Sequence, residues 1–374
     1  MIVLYNPLST TPGKQPLPLS LMSLAAVLEA GAGDQGRSLK SEFKVGVQSR
    51  SSGSEFGAGV GGGYPWSLVD GNIVPDPAAE IIARLTGLPA TAVSLLAVTV
   101  MPGPQLTQAV EVCRRVKAAL PHVPIVWGGY FPTQHTDTVL RAPYVDFVIR
   151  SQGERALQQL ADVLRRGGVL NSVGGLSWKT GRSTRSDRSD ASRRLGGSGD
   201  EGRLANSEVH GSDLPEIVNN PVQPLATLDD LPDLPYHRVD MERYLHENYL
   251  GRRTIAHNSS FGCPFACSFC AVVAMSNRRW LAQSPARMER VMRHLVDTYR
   301  VDAVQMHDMD FLSPRPARPS SPSASPISAC AGGALGASIP SCNTATRHGT
   351  RWRARACGWC FRAPNRAPMK RWRE

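Results

Sequence analysis

Residues 93–129, VSLLAVTVMPGPQLTQAVEVCRRVKAALPHVPIVWGG, decide the fold class. An apolar run at 93–100 leads into Pro102-Gly103. A stretch with Leu106, Val110, Cys113, Val116 and Leu120 on one helical face follows at 105–119. A second apolar run, 123–127, then closes on Gly128-Gly129. Strand, helix, strand in this order is the signature of a parallel α/β sheet. The same alternation runs outward on both sides. Strands are predicted at 2–5, 66–70 and 145–149, and helices at 19–30, 77–86 and 154–166. The expectation is an N-terminal α/β domain over residues 1–178, built as a doubly wound parallel sheet.

Two stretches interrupt the pattern. Residues 33–63 are polar and glycine-rich (GAGVGGG at 57–63) and read as an insertion, not as a nucleotide loop, because no helix follows at the required distance. Residues 180–213 are rich in Ser, Arg, Gly and Asp and read as low-complexity chain within a linker spanning 179–250. Its last part, LATLDDLPDLPYHRVDMERYL at 225–245, reads as a Pro-punctuated connector. Beyond it, 253–262 reads as a strand entering a glycine turn. Ser284-Pro285 reads as a helix start, and Met288, Val291, Met292, Leu295, Val296 and Tyr299 form one core face. A strand is predicted at 301–306, ending in His307-Asp308-Met309-Asp310-Phe311.

The turn after the 253–262 strand carries the chemistry. CPFACSFC places Cys263, Cys267 and Cys270 at CxxxCxxC spacing, with Phe269 just before the last cysteine. Three thiolates hold three irons of a [4Fe-4S] cube and leave the fourth iron open, whereas an electron-transfer cluster normally uses four cysteines. The alternatives are three structural thiols, or a zinc site completed by Cys357 and Cys360 in CGWC. The position favours the cluster, since a barrel carries its chemistry at the carboxyl ends of its strands.

Net charge is +11, but residues 315–374 supply eleven Lys/Arg against the single acid Glu374, so the other 314 residues are close to neutral. That distribution argues against nucleic acid as a partner of the body of the chain. Residues 314–326 hold five prolines, and no helical or strand period of useful length is seen in 314–374. The tail is therefore expected to be disordered. One reading is a change of reading frame near Leu312 or Ser313, truncating the original fold; the other is a basic arm for nucleic acid or acidic lipid. The apolar stretch 17–28 is too short to span a bilayer and lacks a basic flank, so no membrane span or signal peptide is expected. A reduced, cytoplasmic compartment suits an oxygen-sensitive cluster.

The cysteine loop resembles that of the radical S-adenosylmethionine (SAM) enzymes. Asn6-Pro7, LSLMSLAAVLEAG at 19–31, PIVWGGYFPT, VDFVIRSQGE and LPDLPYHRVDMERY look like the class in which a cobalamin-binding domain precedes a radical SAM (β/α) barrel. That class includes anaerobic magnesium-protoporphyrin ester cyclases and several methyltransferases. The resemblance covers roughly 1–33, 64–178 and 214–312, and implies that 251–313 begins the barrel. It implies a cluster on Cys263, Cys267 and Cys270 that cleaves SAM to a 5′-deoxyadenosyl radical, with Phe269, Asp308 and Asp310 near SAM. Asp308 and Asp310 also read as solvated loop acids. The resemblance places cobalamin near Asp70, Thr99, Gly128 and Gly129, in a crevice outside the strand ends. It further implies a reducing donor such as flavodoxin or ferredoxin and a small-molecule substrate. Where many cobalamin domains carry DxHxxG, this sequence has Asp70-Gly71-Asn72, so cobalamin would lack a histidine ligand. The rival functions are an inactive fragment or bare cobalamin-binding module, and a zinc-binding basic nucleic-acid protein.

Overall fold

The computed structural model describes residues 1–9, 13–31, 63–88, 93–180 and 216–310, together with the backbone of two short strands at 336–338 and 353–355. The insertion at 33–63 and the low-complexity stretch at 180–213 lie almost wholly outside the described residues. Strands β1 (Ile2–Asn6), β2 (Trp66–Asp70), β3 (Leu95–Thr99), β4 (Ile125–Gly128) and β5 (Phe147–Ile149) are parallel, in the order β2-β1-β3-β4-β5. Helices α1 (Leu19–Ala30) and α6 (Glu154–Arg166) cover one face; α2 (Pro77–Leu85) and α3 (Pro104–Ala119) cover the other. Short helices α4 (Tyr130–Gln134) and α5 (Thr136–Arg141) follow β4.

The strands are apolar throughout because both faces are buried. On β1, Ile2 and Leu4 pack with α1 and α6, while Val3 and Tyr5 pack with α2 and α3; on β3, Leu95 and Ala97 divide from Leu96 and Val98 in the same way. The buried face of α3 is rotated from the expected one. Ala109 and Val112 join Cys113 and Val116 in the core, and Leu106 and Val110 are only half-buried beside it.

The sheet is larger than the sequence suggested. Strands β6 (Leu176–Lys179) and β7 (Ile217–Asn219) extend it antiparallel beyond β5. Part of the stretch read as linker, Ile217–Asn219, is therefore the seventh strand. The 225–245 connector is also not a plain spacer, since Tyr236, Met241 and Tyr244 are buried with Leu17 and Met22 in a third apolar core.

That third core sits under the second unit. Strand β8 (Thr254–His257) pairs in parallel with β11 (Ala303–Met306), joined through helix α8 (Pro285–Tyr299). Ser284 caps α8 by accepting from the Arg287 N–H at 3.2 Å, with Pro285 in the first turn. The predicted strand 253–262 is split in two. After β8, Ser260–Gly262 forms β9, which pairs antiparallel with β10 (Trp280–Ala282). In the tail, where no strand was expected, Gly336–Ser338 (β12) pairs antiparallel with β11, and Arg353–Arg355 (β13) pairs with β12. The open edge of β11 accounts for the first pairing, because unpaired backbone groups there accept a neighbour of almost any sequence.

Candidate functional site

A cavity of about 120 Å³ lies at the carboxyl ends of β3, β4 and β5. Its walls are largely apolar, from Leu21, Leu24, Val126, Ile149 and Leu157, with Thr99, Gly128 and Gly129 at the strand ends. The strand order reverses beside it, which is where a doubly wound sheet opens a crevice. Gly129 has φ 97°, and a Cβ there would sit 3.2 Å from both Thr99 Oγ1 and the Val100 carbonyl oxygen. The turn after β4 therefore needs glycine, and its bare backbone fronts the cavity. Three of the four residues expected near cobalamin thus line one cavity.

Asp70 does not join them. It is buried at the end of β2 and accepts from the Asn6 side chain at 3.1 Å, from the Asn72 backbone at 2.9 Å and side chain at 2.7 Å, and from the Tyr244 hydroxyl at 3.0 Å. Asn72 is equally engaged, accepting from the Ser9 N–H at 2.8 Å. The stretch that stands where a ligand histidine was sought is a hydrogen-bonded junction between the first sheet and the 236–244 segment.

The cysteines lie in the connection between β9 and β10. The hairpin closes at Gly262 opposite Trp280. Gly262 has φ 85°, and a Cβ there would overlap the Arg279 carbonyl oxygen. Only glycine fits, so the turn signal ahead of Cys263 was correctly placed. The Cys263 N–H donates to the buried Ser276 hydroxyl at 3.4 Å, and the Cys270 N–H to the Cys267 carbonyl at 3.1 Å. Helix α7 (Val272–Ser276) follows and packs on α4. Cys267 is exposed, Cys263 and Cys270 are half-buried, and Phe269 is 90 % exposed. Among the described residues no group of three or more His, Cys, Asp or Glu side chains is drawn together around one ion position. Three thiols on one short loop can ligate three of the four irons of a [4Fe-4S] cube. Cys357 and Cys360 lie outside the described residues.

The two acids after β11 have different surroundings. Asp308 is largely buried and accepts from the Ser259 N–H at 3.2 Å, the Ser259 hydroxyl at 3.0 Å and the Ser260 hydroxyl; burial pushes its pKa up. It ties the strand ends of β8 and β11 together. Asp310 stands nearer the cysteine loop, with its carboxylate 3.8 Å from the Cys263 thiol, and its carbonyl accepts from the Trp280 indole at 2.7 Å. The structure therefore separates two residues that the sequence treated alike.

Several residues at the site were not anticipated. Phe261 and Met275, from the hairpin and α7, complete the cavity wall. Ser151, at φ 66°, donates its hydroxyl to the Met275 carbonyl and its N–H to Thr133 Oγ1 at 3.1 Å. Tyr130, directly after Gly129, has its pKa pushed up to about 12 by burial and then by the neighbouring Cys270. Glu154, at the start of α6, lines the cavity as well. No spacing rule singles out a lone Ser, Tyr or Glu; the signal that could have found Tyr130 was its adjacency to the glycine pair.

The comparisons with known proteins fit this geometry. Residues 63–161 match the B12 binding domain. The chain resembles the cobalamin-binding radical SAM enzymes. It is 24% identical over 202 residues to an anaerobic magnesium-protoporphyrin IX monomethyl ester cyclase of Synechocystis, covering 53% of this chain and 33% of that protein. It is 25% identical over 205 residues to an uncharacterized methyltransferase of Pyrococcus horikoshii, covering 54% of this chain and 37% of the relative. The matches thus span about a third of the length of these curated relatives. Among solved structures, the cobalamin-dependent SAM radical enzyme OxsB, with aqua-cobalamin and SAM bound, superposes with a TM-score of 0.55 at 16% identity, covering 84% of this chain and 34% of that one. The radical SAM methyltransferase TsrM of Kitasatospora setae, with cobalamin and a [4Fe-4S] cluster bound, gives 0.50 at 16% identity, covering 83% and 48%. At that identity the likeness establishes the mixed α/β fold. No helix among the described residues is long and apolar enough to cross a membrane.

Proposed function

We propose that this chain carries the corrinoid-binding and cluster-bearing parts of a cobalamin-dependent radical SAM enzyme. The observation that carries the reading is the shared wall: Phe261 and Met275, which flank the cysteine loop, also line the cavity at the carboxyl edge of the first sheet. A redox centre on the loop and a cofactor in the crevice would then lie side by side. In this reading Cys263, Cys267 and Cys270 hold a [4Fe-4S] cluster with one iron left for SAM, and residues 251–313 begin its barrel. When bound, the cluster supplies the electron for SAM cleavage and cobalamin supplies methyl transfer or redox assistance. The protein's own part is positional. The Gly128-Gly129 turn presents backbone to the corrinoid's nucleotide tail, and the apolar walls keep water from it. The Ser276 hydroxyl fixes Cys263, and the Ser259–Ser260–Asp308 bonds hold the strand end behind it. Phe269 and Asp310 would contact SAM, and the Asp310 carboxylate, 3.8 Å from the Cys263 thiol, would accept from its amino group.

The reaction is methyl transfer or cyclisation on a small organic substrate, with electrons from a flavodoxin- or ferredoxin-like donor in a reducing compartment. Iron and sulfide analysis of the anaerobically reconstituted chain tests the reading. About four irons with matching sulfide per chain support it; one zinc and no sulfide would overturn it in favour of a zinc protein.

A further inference from the structure

The turn after β5, Ser151-Gln152-Gly153, lines the cavity with all three of its residues. Ser151 has φ 66°, in the left-handed region. Glycine adopts that conformation without steric cost, whereas a serine Cβ crowds its own backbone there. The Ser151 N–H is held by Thr133 Oγ1 of α4, to which it donates at 3.1 Å. What serine brings that glycine lacks is a hydroxyl. That hydroxyl is buried and donates to the Met275 carbonyl.

The acceptor needs this donor. Met275 is buried in the last turn of α7, where carbonyls have no intrahelical N–H within reach. No other donor to its carbonyl is seen among the described residues. The next residue, Ser276, accepts from the Cys263 N–H at 3.4 Å and donates to the Val272 carbonyl at 3.0 Å. Two adjacent residues of α7 are thus gripped from opposite sides, Met275 by the first sheet and Ser276 by the first cysteine of the loop. Gln152 adds a second attachment. Its Oε1 accepts from the Ala226 N–H at 2.6 Å and its Nε2 donates to the Ala226 carbonyl at 3.4 Å, so the connector is fixed to the same turn.

We propose that Ser151 is a positioning residue, whose hydroxyl sets the register between the cavity and the cysteine loop. A strained backbone is kept at this one position because the side chain it carries holds α7 against the cavity wall. The inference rests on reading cavity and loop as one cofactor site, and adds to it the residue that fixes their separation.

Ser151→Gly and Ser151→Ala separate the hydroxyl from the backbone. Both lose the donor, and glycine also relieves the turn. Amide exchange of the full chain is the first readout. In both variants exchange over 272–277 is expected to rise about tenfold or more, as loss of one buried hydrogen bond dictates, with α1 and α6 unchanged. The glycine variant should unfold at no lower denaturant concentration than the alanine variant, so its faster exchange reports the lost hydroxyl and not a weakened sheet. The second readout is electron paramagnetic resonance of the chain reconstituted with iron, sulfide and cobalamin, with both centres reduced to paramagnetic states. Wild type is expected to show spin–spin broadening between cobalt and cluster. The variants should keep their iron content and cobalamin affinity and lose part of that broadening. Unchanged exchange over 272–277, an equal rise in α6, or broadening identical to wild type in both variants overturns the positioning role. A wild-type chain that binds neither iron nor cobalamin overturns the shared-site reading instead, and the exchange data alone then decide whether Ser151 holds α7.

Discussion

In the first sheet, β3 sends alternate residues into two cores, Leu95 and Ala97 under α1 and α6, Leu96 and Val98 under α2 and α3. In the pair β8–β11, alternation feeds one such core only. Ile255, Val304 and Met306 pack with α8, while Thr254, Ala256 and Ala303 on the opposite side are buried but belong to no apolar cluster among the described residues. The single core of the second unit also borrows Leu17 and Met22 from the first and Tyr236, Met241 and Tyr244 from the connecting segment. The first unit thus holds its own apolar surface, and the second depends on the first. The cavity proposed for the corrinoid lies in the self-sufficient part and the cysteine loop in the dependent part. The cavity, the Ser151–Met275 bond and the α4–α7 contact join them.

The largest effect expected from this asymmetry is on metal. Cys263→Ala, Cys267→Ala and Cys270→Ala should each abolish the broad absorbance near about 400 nm expected of an iron–sulfur centre, without lowering corrinoid binding. Cys357→Ala and Cys360→Ala should leave the absorbance intact. Loss of iron confined to the latter two would place the centre in the tail and dissolve the comparison.

Next comes the core of the first sheet. Leu96→Ala removes a fully buried side chain and should cost about 2–5 kcal/mol in denaturant unfolding. Because the second core leans on the first, cluster content should fall along with it. Val304→Ala should loosen the second unit and leave corrinoid affinity intact. Equal loss of both functions in both variants would mean one cooperative block instead of a host and a dependent.

Acid should act on the second unit first. His257, buried at the end of β8, has its pKa pushed down to about 4 by burial, with the Arg287 charge adding to it, and its Nε2 has no hydrogen-bond partner among the described residues. Its unfolded value is about 6.5, so the unfolded chain binds the extra proton as pH falls below that value. The stability tied to the neutral ring is present above about 6.5 and lost progressively down to about 4, amounting to roughly 3 kcal/mol. Unfolding midpoints between these limits check it. An unchanged acid sensitivity in His257→Phe would assign the effect elsewhere.

The smallest change is local. Ser284→Ala deletes the cap of α8 and should cost about 1 kcal/mol, seen as increased amide exchange in α8 and not in α1 or α6. Exchange rising equally in all three helices would remove the distinction between the units.

Much of this molecule was legible in its residues. Helices at 19–30 and 154–166 and the strand at 66–70 fall where the apolar periods put them, because α1, α6 and β2 are amphipathic or apolar segments bounded by Gly31, Gly153, Gly167 and the Asp70-Gly71 turn. The cysteine spacing, the glycine before it and the Ser284 cap are equally local signals. Local too is the need for glycine at 129, which a positive φ imposes. What the sequence left open required distant chain. Ile217–Asn219 has too few residues to declare itself a strand, and becomes one because β6 offers a free edge. Asp70 reads in sequence as a cofactor contact; the fold places it at a junction outside the cavity lining, where Tyr244 arrives from 174 residues away to share it. Glu154 was one more acid opening a helix until folding enclosed it beside Ser23 and an apolar cavity. Short-range periodicity and turn geometry are encoded by neighbours in sequence. Burial, and with it the chemical character of a carboxyl, is set by whatever the fold brings in from elsewhere.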